Sequence, residues 1–416
     1  MKRTQKLLIL LTISVMMLTS CSLLPTTFIN STSGTGSEQV QLPEQNTGDT
    51  VTISREEYER LLQFQELVEI QDYVDQYYYQ EPVTQDMLDG AAMGMLYGLD
   101  DPYTFYYTPE EYETMWEEDE GNYAGIGIMI TGNYNTGLCT VTRVFLDSPA
   151  LEAGLKKGDV LVKVEDIDVT ATTLQDAVDI MRGEIGQPVN LTVRRGDQLL
   201  DFVIVRAEVH TNYVNSCMME GNVGYISLYE FSGECATEFE NHLNKLVEQG
   251  ATSLIIDLRD NPGGWVNAAV SIADIFLPKG TVATLRYRDG SEETYTTRDG
   301  AEEMPVVLLV NENPASASEI LAGCLQDYDR ATIVGTTTYG KGVVQWVLPV
   351  GDRGAGMQLT IAQYYTPNGN EVHKVGITPD VEATMPEELV SEMYDIGDLS
   401  DPQLKVAFDE AVKLAQ

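Results

Sequence analysis

Basic side chains are scarce in this sequence of 416 residues, which holds 25 Lys and Arg against 65 Asp and Glu. The formal net charge of −40 at pH 7 argues against nucleic acid as a partner, because phosphates would be repelled. Histidine and cysteine are also rare, with three and five residues, and neither a CxxC pair nor a Cys–His group has metal-ligand spacing. The sequence therefore predicts no metal site and no cofactor.

The amino terminus differs from the rest of the chain. A cationic start precedes an apolar run over residues 7–18 that is too short to span a bilayer comfortably, and small residues lead up to Cys21. This layout is typical of an export signal, and residues 18–21 resemble the lipobox of bacterial lipoproteins. We predict a lipoprotein signal peptide over residues 1–20, a lipidated Cys21 and a place on the extracytoplasmic side of the cell membrane. A plain cleaved signal or an uncleaved anchor is the alternative.

Composition and periodicity divide the remainder of the chain. Residues 21–54 are rich in Ser, Thr, Gly, Gln and Asn and are predicted to be a flexible tether. Residues 55–109 carry apolar positions at helical spacing, and residues 110–207 form a strand-rich unit. From 208 to 385 strands and helices alternate, which favours an α/β layered core. Residues 386–416 are predicted to be mostly helical and to end in a helix whose apolar face needs a partner.

The four cysteines beyond Cys21 leave two interpretations open. An exported chain could join Cys217 and Cys235, the nearest pair in the sequence, through a disulfide. Scattered buried thiols are the other interpretation.

Two glycines alternate with isoleucines in Gly125-Ile126-Gly127-Ile128, near the start of the strand-rich unit. Such a segment can turn consecutive N–H groups toward a carboxylate, and the strand after it can accept an extended peptide as an added strand. Short glycine motifs often mark only tight turns, but three further segments follow in order, at residues 148–150, 153–155 and 157–164. The ordered set resembles a bacterial PDZ domain and predicts that residues 125–128 bind the carboxyl-terminal tail of a substrate.

Small residues surround Ser316 at a predicted strand-to-helix junction. The dipole and free N–H groups of a helix amino terminus favour developing negative charge, so Ser316 is a candidate nucleophile. A helix cap, in which Ser316 or Ser318 only satisfies backbone N–H groups, explains this segment equally well by itself.

Lys341 lies between two glycines just before an apolar strand. Glycines permit close backbone approach, and an apolar setting desolvates the amine and lowers its pKa, as a lysine base requires. The alternative is a lysine in a surface turn. A third segment, Asn-Pro-Gly-Gly at residues 261–264, follows a buried strand and exposes backbone N–H groups that could hold an oxyanion. A routine strand–helix turn is the alternative there.

These motifs, in this order, resemble the carboxy-terminal processing peptidases, also called tail-specific proteases. The family's nucleophile segment appears at residues 314–319, with proline in place of its first serine and the nucleophilic serine retained at Ser316. The family lysine matches Lys341, and the family glutamine four positions later matches Gln345. The Asp-Leu-Arg-x-Asn-x-Gly-Gly segment is intact at residues 257–264. Two further matching segments, residues 99–104 and 376–380, are interpreted as structural.

The resemblance implies a crotonase/ClpP-like layered peptidase core with an inserted PDZ domain and helical termini. It implies a serine endopeptidase in which Lys341, positioned by Gln345, takes the proton of Ser316. The oxyanion would be held by backbone N–H groups of Gly263, Gly264 and Ala317. No metal or organic cofactor is required. The expected partners are polypeptides bound through their carboxyl-terminal tails and a second copy of the chain, in a homodimer built from the terminal helices.

Two rival functions remain open. A catalytically inactive PDZ protein that only binds peptides would carry the same fold. A different hydrolase or a crotonase-like acyl-group enzyme is the second rival. An ordinary esterase is disfavoured because no Gly-x-Ser-x-Gly motif surrounds Ser316, whereas the three histidines leave a Ser-His-Asp triad open.

Overall fold

The computed structural model describes residues 52–416 except 134, 135, 299, 301, 390, 391 and 393. The predicted signal peptide, Cys21 and nearly all of the tether lie outside the described residues. The chain divides into two units, one ending at Tyr78 and the other running from Tyr79 to Gln416.

The first unit contains two helices, α1 (Arg55–Leu62) and α2 (Gln65–Tyr77). Helix α1 begins with a capping box, in which the Glu57 N–H donates to Ser54 Oγ at 3.1 Å and the Ser54 N–H donates to the Glu57 carboxylate at 2.8 Å. No residue of either helix is buried. The exposed apolar side chains are those of Tyr58, Leu61, Leu62, Leu67, Val68, Ile70, Tyr73 and Tyr77.

The second unit opens with mixed elements, namely α3 (Thr84–Tyr97), β1 (Phe105–Tyr107), α4 (Pro109–Glu120) and β2 (Asn122–Gly125). Helix α4 occupies positions where the sequence analysis expects the strand-rich unit to begin. Tyr112, Met115 and Trp116 recur at helical spacing among glutamates, so this segment has one apolar side that suits a helix.

The strand-rich module follows, and its elements are β3 (Ile128–Gly132), β4 (Cys139–Val144), α5 (Pro149–Ala153), β5 (Val160–Val164), β6 (Ile167–Asp168), α6 (Leu174–Met181), β7 (Pro188–Arg195) and β8 (Gln198–Val205). The sheet order is β3-β4-β5-β7-β8, with β6 paired to β5. The module has its own apolar core, which includes Val141, Leu161, Leu191 and Ile204. Strand β9 (Ala207–His210) then returns to pair with β2.

The remaining chain builds an α/β core from β10 (Val214–Met218), β11 (Val223–Leu228), α7 (Cys235–Glu248), β12 (Ser253–Asp257), α8 (Val266–Phe276), β13 (Thr281–Tyr287), β14 (Glu292–Thr296), β15 (Val306–Val310), α9 (Ala317–Asp327), β16 (Ala331–Gly335), β17 (Val343–Val350), β18 (Ala355–Tyr365), β19 (Val381–Glu382) and α10 (Pro402–Leu414). The central sheet has the order β10-β11-β12-β15-β16-β19 and is parallel except for β10. A second, antiparallel sheet joins β1, β18, β13 and β14, with β17 on β18.

The central sheet is covered on both faces. Successive residues of a strand point to opposite faces, so Leu254 and Ile256 face one core while Ile255 faces the other. Helices α7, α8 and α9 contribute to the first core. Helix α10 buries Leu404 and Phe408 in the second. The central strands therefore have near-continuous apolar sequences, as is typical of parallel sheets buried on both sides.

The carboxyl-terminal helix finds its partner within the chain, since its apolar face packs on the central sheet. The tail is less helical than predicted. Between Pro386 and α10 the described residues contain only one short 3₁₀ turn, Glu387–Leu389. Turn-forming Gly397 breaks the apolar periodicity there. Helix α10 begins at Pro402, and Asp401 caps it by accepting the N–H groups of Gln403 and Leu404.

The core brings three loops to one edge. Strands β12, β15 and β16 are parallel neighbours, so the segments that follow them leave the sheet at the same side. Those segments are residues 258–265, 311–316 and 336–342. They contain Gly263, Gly264, Ser316 and Lys341, four of the six site residues predicted in the peptidase core. The other two are Ala317, the first residue of α9, and Gln345, which lies in β17.

Candidate active site

Ser316 has an unusual backbone conformation. It precedes the first residue of α9 with φ of 56° and ψ of −116°, in a region that costs a non-glycine residue about 1–3 kcal/mol. Its side chain is nearly buried, with 8% of the residue exposed. Helix α9 starts directly after it, so the serine lies where unpaired N–H groups and the helix dipole act together.

Gly263 packs directly against this serine. Its φ is +100°, and a Cβ atom at this position would lie 2.5 Å from the Ala315 carbonyl oxygen and 2.9 Å from Ser316 Cβ. Only glycine fits such an approach. The turn is held by fully buried Asn261, whose Nδ2 donates to the Leu228 carbonyl at 2.8 Å.

The three predicted oxyanion donors differ in this conformation. The Gly263 N–H donates to Asn261 Oδ1 at 2.9 Å and is therefore occupied. Among the described residues no acceptor takes up the N–H of Gly264 or that of Ala317. The N–H groups of Gly264 and Ala317 are thus unoccupied, and that of Gly263 would have to leave Asn261 to act as a donor.

Glu319 connects the serine segment to the lysine segment. Its carboxylate is fully buried and accepts four hydrogen bonds, from the N–H of Ser316 (3.1 Å), Gly340 (2.7 Å) and Lys341 (2.8 Å) and from the Thr338 hydroxyl (2.5 Å). Burial raises the pKa of Glu319, and the hydrogen bonds act in the opposite direction. In the sequence Glu319 is recognised only as a position of the nucleophile motif. The Ser-x-x-Glu spacing at a helix start could have identified it.

Lys341 lies half-buried near the end of the segment that precedes β17. Burial lowers the pKa of its amine, while the nearby carboxylates of Asp101 and Glu319 oppose that shift. Lys341 Nζ lies 4.8 Å from the centre of the Tyr103 ring. No hydrogen bond joins Lys341 Nζ to Ser316 Oγ in the described chain, so the two predicted reacting groups are not hydrogen-bonded in this conformation.

The flanking glycines let the lysine loop approach its neighbour. A Cβ atom at Gly342 would lie 2.2 Å from the His373 backbone nitrogen, and one at Gly340, where φ is +86°, would lie 3.1 Å from the Gly376 nitrogen. The Lys374 N–H also donates to the Gly340 carbonyl at 2.7 Å. Residues 373–376, which lead into the matching segment at residues 376–380, therefore support the loop that carries Lys341.

Gln345 lies on β17 near the same loop. Its Nε2 donates to Thr360 Oγ1 at 3.1 Å, and the Thr360 N–H donates to Thr104 Oγ1 at 3.0 Å. The side chain is thus linked to β18 and to the segment before β1. The predicted role of Gln345 in positioning Lys341 remains a prediction.

A buried ion-pair network holds the turn that contains the glycines. The Arg259 guanidinium contacts Asp257 at 2.7 Å and Asp401 at 2.7 Å. Although burial alone would lower it, the two carboxylates raise the pKa of Arg259. Asp257 also accepts the Tyr225 hydroxyl at 2.8 Å. The turn after β12 is therefore tied to the start of α10.

The segment Gly125–Ile128 lies at the edge of the strand-rich module. Ile126 is buried, and its carbonyl accepts the Ala150 N–H at 2.8 Å. Gly127 has a φ of +85°, and a Cβ atom there would lie 2.3 Å from Ser148 Cβ. Strand β3, which begins at Ile128, pairs with β4 on one side, and no other described strand pairs with its outer edge.

Other nucleophiles and ligands form no comparable site. Ser216 Oγ lies 2.6 Å from His242 Nδ1, but Ser216 is in the middle of β10, where its backbone pairs with β11. The thiols of Cys139, Cys217, Cys235 and Cys324 are all free. Within the described ranges, no group of three or more His, Cys, Asp or Glu side chains could hold a metal ion, and no helix has the length and apolar character needed to cross a membrane.

Family models match three parts of the chain. The Peptidase family S41 model matches residues 222–383, the PDZ domain model matches residues 140–195, and the model of the activating protease CtpB N-terminal domain matches residues 26–111.

Curated relatives match over most of their length. The chain is 36% identical over 358 residues to the carboxy-terminal-processing protease of Bartonella bacilliformis, covering 83% of this chain and 81% of that one. It is 36% identical over 326 residues to the carboxyl-terminal-processing protease of a Synechocystis species, with 77% and 75% covered. It is 33% identical over 327 residues to the carboxy-terminal processing protease CtpA of Bacillus subtilis, with 78% and 70% covered.

Solved structures with the same fold include the photosystem II D1 C-terminal processing protease. That comparison has a TM-score of 0.51 and 29% sequence identity, and it covers 79% of this chain and 91% of the other. An S41 protease structure from Bacteroides fragilis has a TM-score of 0.57 at 18% identity, with 80% and 90% covered, and supports the fold alone.

The Glu319→Gln variant tests the link between the two loops. The glutamine NH₂ would replace one of the two carboxylate oxygens that accept these hydrogen bonds. At least one buried donor would then be unpaired, which costs about 1–3 kcal/mol. We expect a lower urea midpoint and at least about a tenfold slower reaction of Ser316 with a fluorophosphonate probe. Glu312→Gln, the same change on an exposed side chain, is the control. A labelling rate of Ser316 equal to that of the wild type in Glu319→Gln would contradict the role of Glu319 as the link between the two loops.

Proposed function

Because this chain belongs to the carboxy-terminal processing proteases, serine peptidases of family S41 with a PDZ domain, we propose that Ser316 and Lys341 form its catalytic dyad. The observation that carries the proposal is the shared anchor of the two segments on the Glu319 carboxylate. One side chain thereby sets the positions of both backbones. A strained serine at a helix start and a desolvated lysine are the two chemical properties that a Ser-Lys pair needs.

The proposed reaction begins with proton transfer from Ser316 to neutral Lys341. The serine oxygen attacks the scissile carbonyl, and the oxyanion accepts hydrogen bonds from the N–H groups of Gly264 and Ala317. Gly263 joins them if its N–H leaves Asn261. The Lys341 ammonium then gives its proton to the amine of the scissile bond, and the C–N bond breaks. The acyl group remains on Ser316 as an ester.

Water completes the cycle. Neutral Lys341 takes a proton from water, the hydroxide attacks the ester carbonyl, and the proton returns to Ser316 as the acid leaves. Gln345 is proposed to orient the amine. The proposal requires Lys341 Nζ to leave the Tyr103 ring, because the two reacting groups are not hydrogen-bonded in the resting conformation.

The Lys341→Arg variant should be inactive in cleavage of a quenched fluorescent peptide with an apolar, free carboxyl terminus. Arginine cannot lose its proton at ordinary pH, so kcat should fall by at least about a thousandfold. In the wild type, kcat/KM should rise with pH until Lys341 is neutral, at a pH below the ordinary lysine pKa because burial lowers it. The exposed Lys374→Arg serves as the control.

The outcomes separate the proposed enzyme from its rival. Activity in Lys341→Arg would assign the base to another residue. A wild-type protein whose Ser316 is not labelled by a fluorophosphonate, and which cleaves nothing, would support the alternative of an inactive PDZ protein that only binds peptides.

We propose that the strand-rich module binds the carboxyl-terminal tail of the substrate. The open outer edge of β3 could accept an extended peptide through backbone hydrogen bonds. The glycine-containing segment Gly125–Ile128 would meet the terminal carboxylate, since glycines leave its N–H groups accessible.

Tail binding can be measured on Ser316→Ala protein with ten-residue peptides that end in apolar residues. A free carboxylate should bind at least about tenfold more tightly than the same peptide with an amidated end, because charge-assisted hydrogen bonds are lost. A peptide with prolines at two positions facing β3 should also bind weakly, because proline cannot donate a backbone hydrogen bond. Val203→Lys on the far strand β8, where Val203 is exposed, should change nothing. Equal affinities for the free and amidated peptides would contradict tail recognition.

The core is further proposed to be a crotonase/ClpP-like layered fold with helical terminal regions. A parallel central sheet between helices α7–α9 on one face and α10 on the other supports this description.

A lipid anchor at Cys21 and an extracytoplasmic position on the cell membrane are proposed from the sequence alone. Cys21→Ser in the full chain should move the protein out of the membrane fraction, measured by immunoblotting of separated fractions. Retention in that fraction would exclude the lipid as the anchor.

A homodimer is proposed to form through the amino-terminal helices. The exposed apolar side chains of α1 and α2 support it, whereas α10 already has a partner within the chain. The molar mass from light scattering distinguishes a dimer from a monomer.

A further inference from the structure

Tyr103 is fixed beside the active site by the short turn that precedes β1. Asp101 accepts the Tyr103 N–H at 3.0 Å and the Thr104 hydroxyl at 2.7 Å. Thr104 is buried and in turn accepts the Thr360 N–H at 3.0 Å. The turn that carries Tyr103 is therefore attached to β18, the strand to which the side chain of Gln345 is also hydrogen-bonded.

The Lys341 amine lies on this ring. A separation of 4.8 Å between Nζ and the ring centre is within the distance, about 6 Å, at which an ammonium is attracted by the negative face of an aromatic ring. The attraction requires the positive charge, because a neutral amine has no comparable interaction with the ring quadrupole. The position of Nζ should thus depend on its protonation state.

We propose that Tyr103 is a positioning residue for Lys341. The Tyr103 ring holds the charged lysine side chain away from a hydrogen bond with Ser316 and releases it when the amine is neutral. The proposal rests on the proposed dyad. It explains how the two groups can be anchored by one carboxylate and still lack a hydrogen bond. Only the lysine side chain has to move, because the backbone of Lys341 is already bound to Glu319.

The other groups around the amine do not substitute for the ring. The carboxylates of Asp101 and Glu319 act on Lys341 from two elements and favour its charged form. Burial and the Tyr339 hydroxyl raise the pKa of Tyr103 to about 12, so its phenol is neutral over the working range. His373 lies close enough to Asp101 to act on it electrostatically.

Replacing the ring by an apolar side chain of similar bulk separates attraction from shielding. Tyr103→Leu still excludes water but removes the attraction, so the charged amine loses stabilisation. The acidic limb of the pH profile is the range in which kcat/KM rises as Lys341 loses its proton. This limb should move to lower pH by about 0.5–1.5 units, which corresponds to the free energy of one cation–π interaction. Relative to the plateau, kcat/KM well below the limb should rise by about three- to thirtyfold. A purely structural role would lower activity without moving the limb.

Two further variants protect the test against misfolding. Tyr103→Phe keeps the ring and should leave the limb in place. Fluorinated phenylalanines at the same position keep the shape while weakening the negative face of the ring, and each added fluorine should move the limb further down. Tyr97→Leu, which removes an 86% exposed phenol from α3, is the control for loss of a tyrosine.

The outcomes distinguish this proposal from the proposed function. An unmoved limb, or one that moves to higher pH, in Tyr103→Leu and in the fluorinated proteins overturns the role of Tyr103. Cleavage by Lys341→Met, measured on the same fluorescent peptide, overturns the dyad and the Tyr103 proposal with it. If Lys341→Met is inactive and the limb moves to lower pH in Tyr103→Leu and the fluorinated proteins, the dyad and the role of Tyr103 are both supported.

Discussion

One buried carboxylate organises the active site. Glu319 has no solvent contact, and four donors from two loops surround it. A buried charge is tolerated only when its hydrogen-bonding capacity is satisfied, so the loops that carry Ser316 and Lys341 cannot separate without leaving that charge unpaired. The strained backbone of Ser316 and the close packing of Gly263 against it follow from the same constraint, since both depend on the exact path of the chain into α9.

The proposed site also depends on partial burial of the Lys341 amine in a strongly acidic protein. A net charge of −40 and the nearby carboxylates of Asp101 and Glu319 all favour a protonated Lys341. Burial opposes them and is the larger effect, because desolvation acts directly on the ammonium whereas distant surface charges are screened by water and salt. The Tyr103 ring, whose centre lies 4.8 Å from Nζ, is one of the groups that cover the amine.

Segments far apart in sequence meet at this site. The turn at residues 101–104 contacts Lys341 and Thr360, and helix α4 reaches the glycine turn through the stacked rings of Trp116 and Trp265. Trp265 Nε1 also donates to Asp119, at the end of the helix that leads into the PDZ module. The peptidase core is therefore completed by chain that precedes the module, which agrees with a PDZ domain inserted between two parts of one folding unit.

Local chemistry and apolar periodicity were readable along the chain. The buried strands β12 and β15, the helix start at Ser316 and the glycines around Lys341 could all be predicted, because each depends on neighbours within a few residues. The pairing of β1 with β18 and the packing of α10 on the central sheet could not, because each joins segments that are far apart in the sequence. For the same reason only the tertiary structure placed Tyr103 on Lys341, engaged the Gly263 N–H with Asn261, and made Glu319 the common acceptor of two loops.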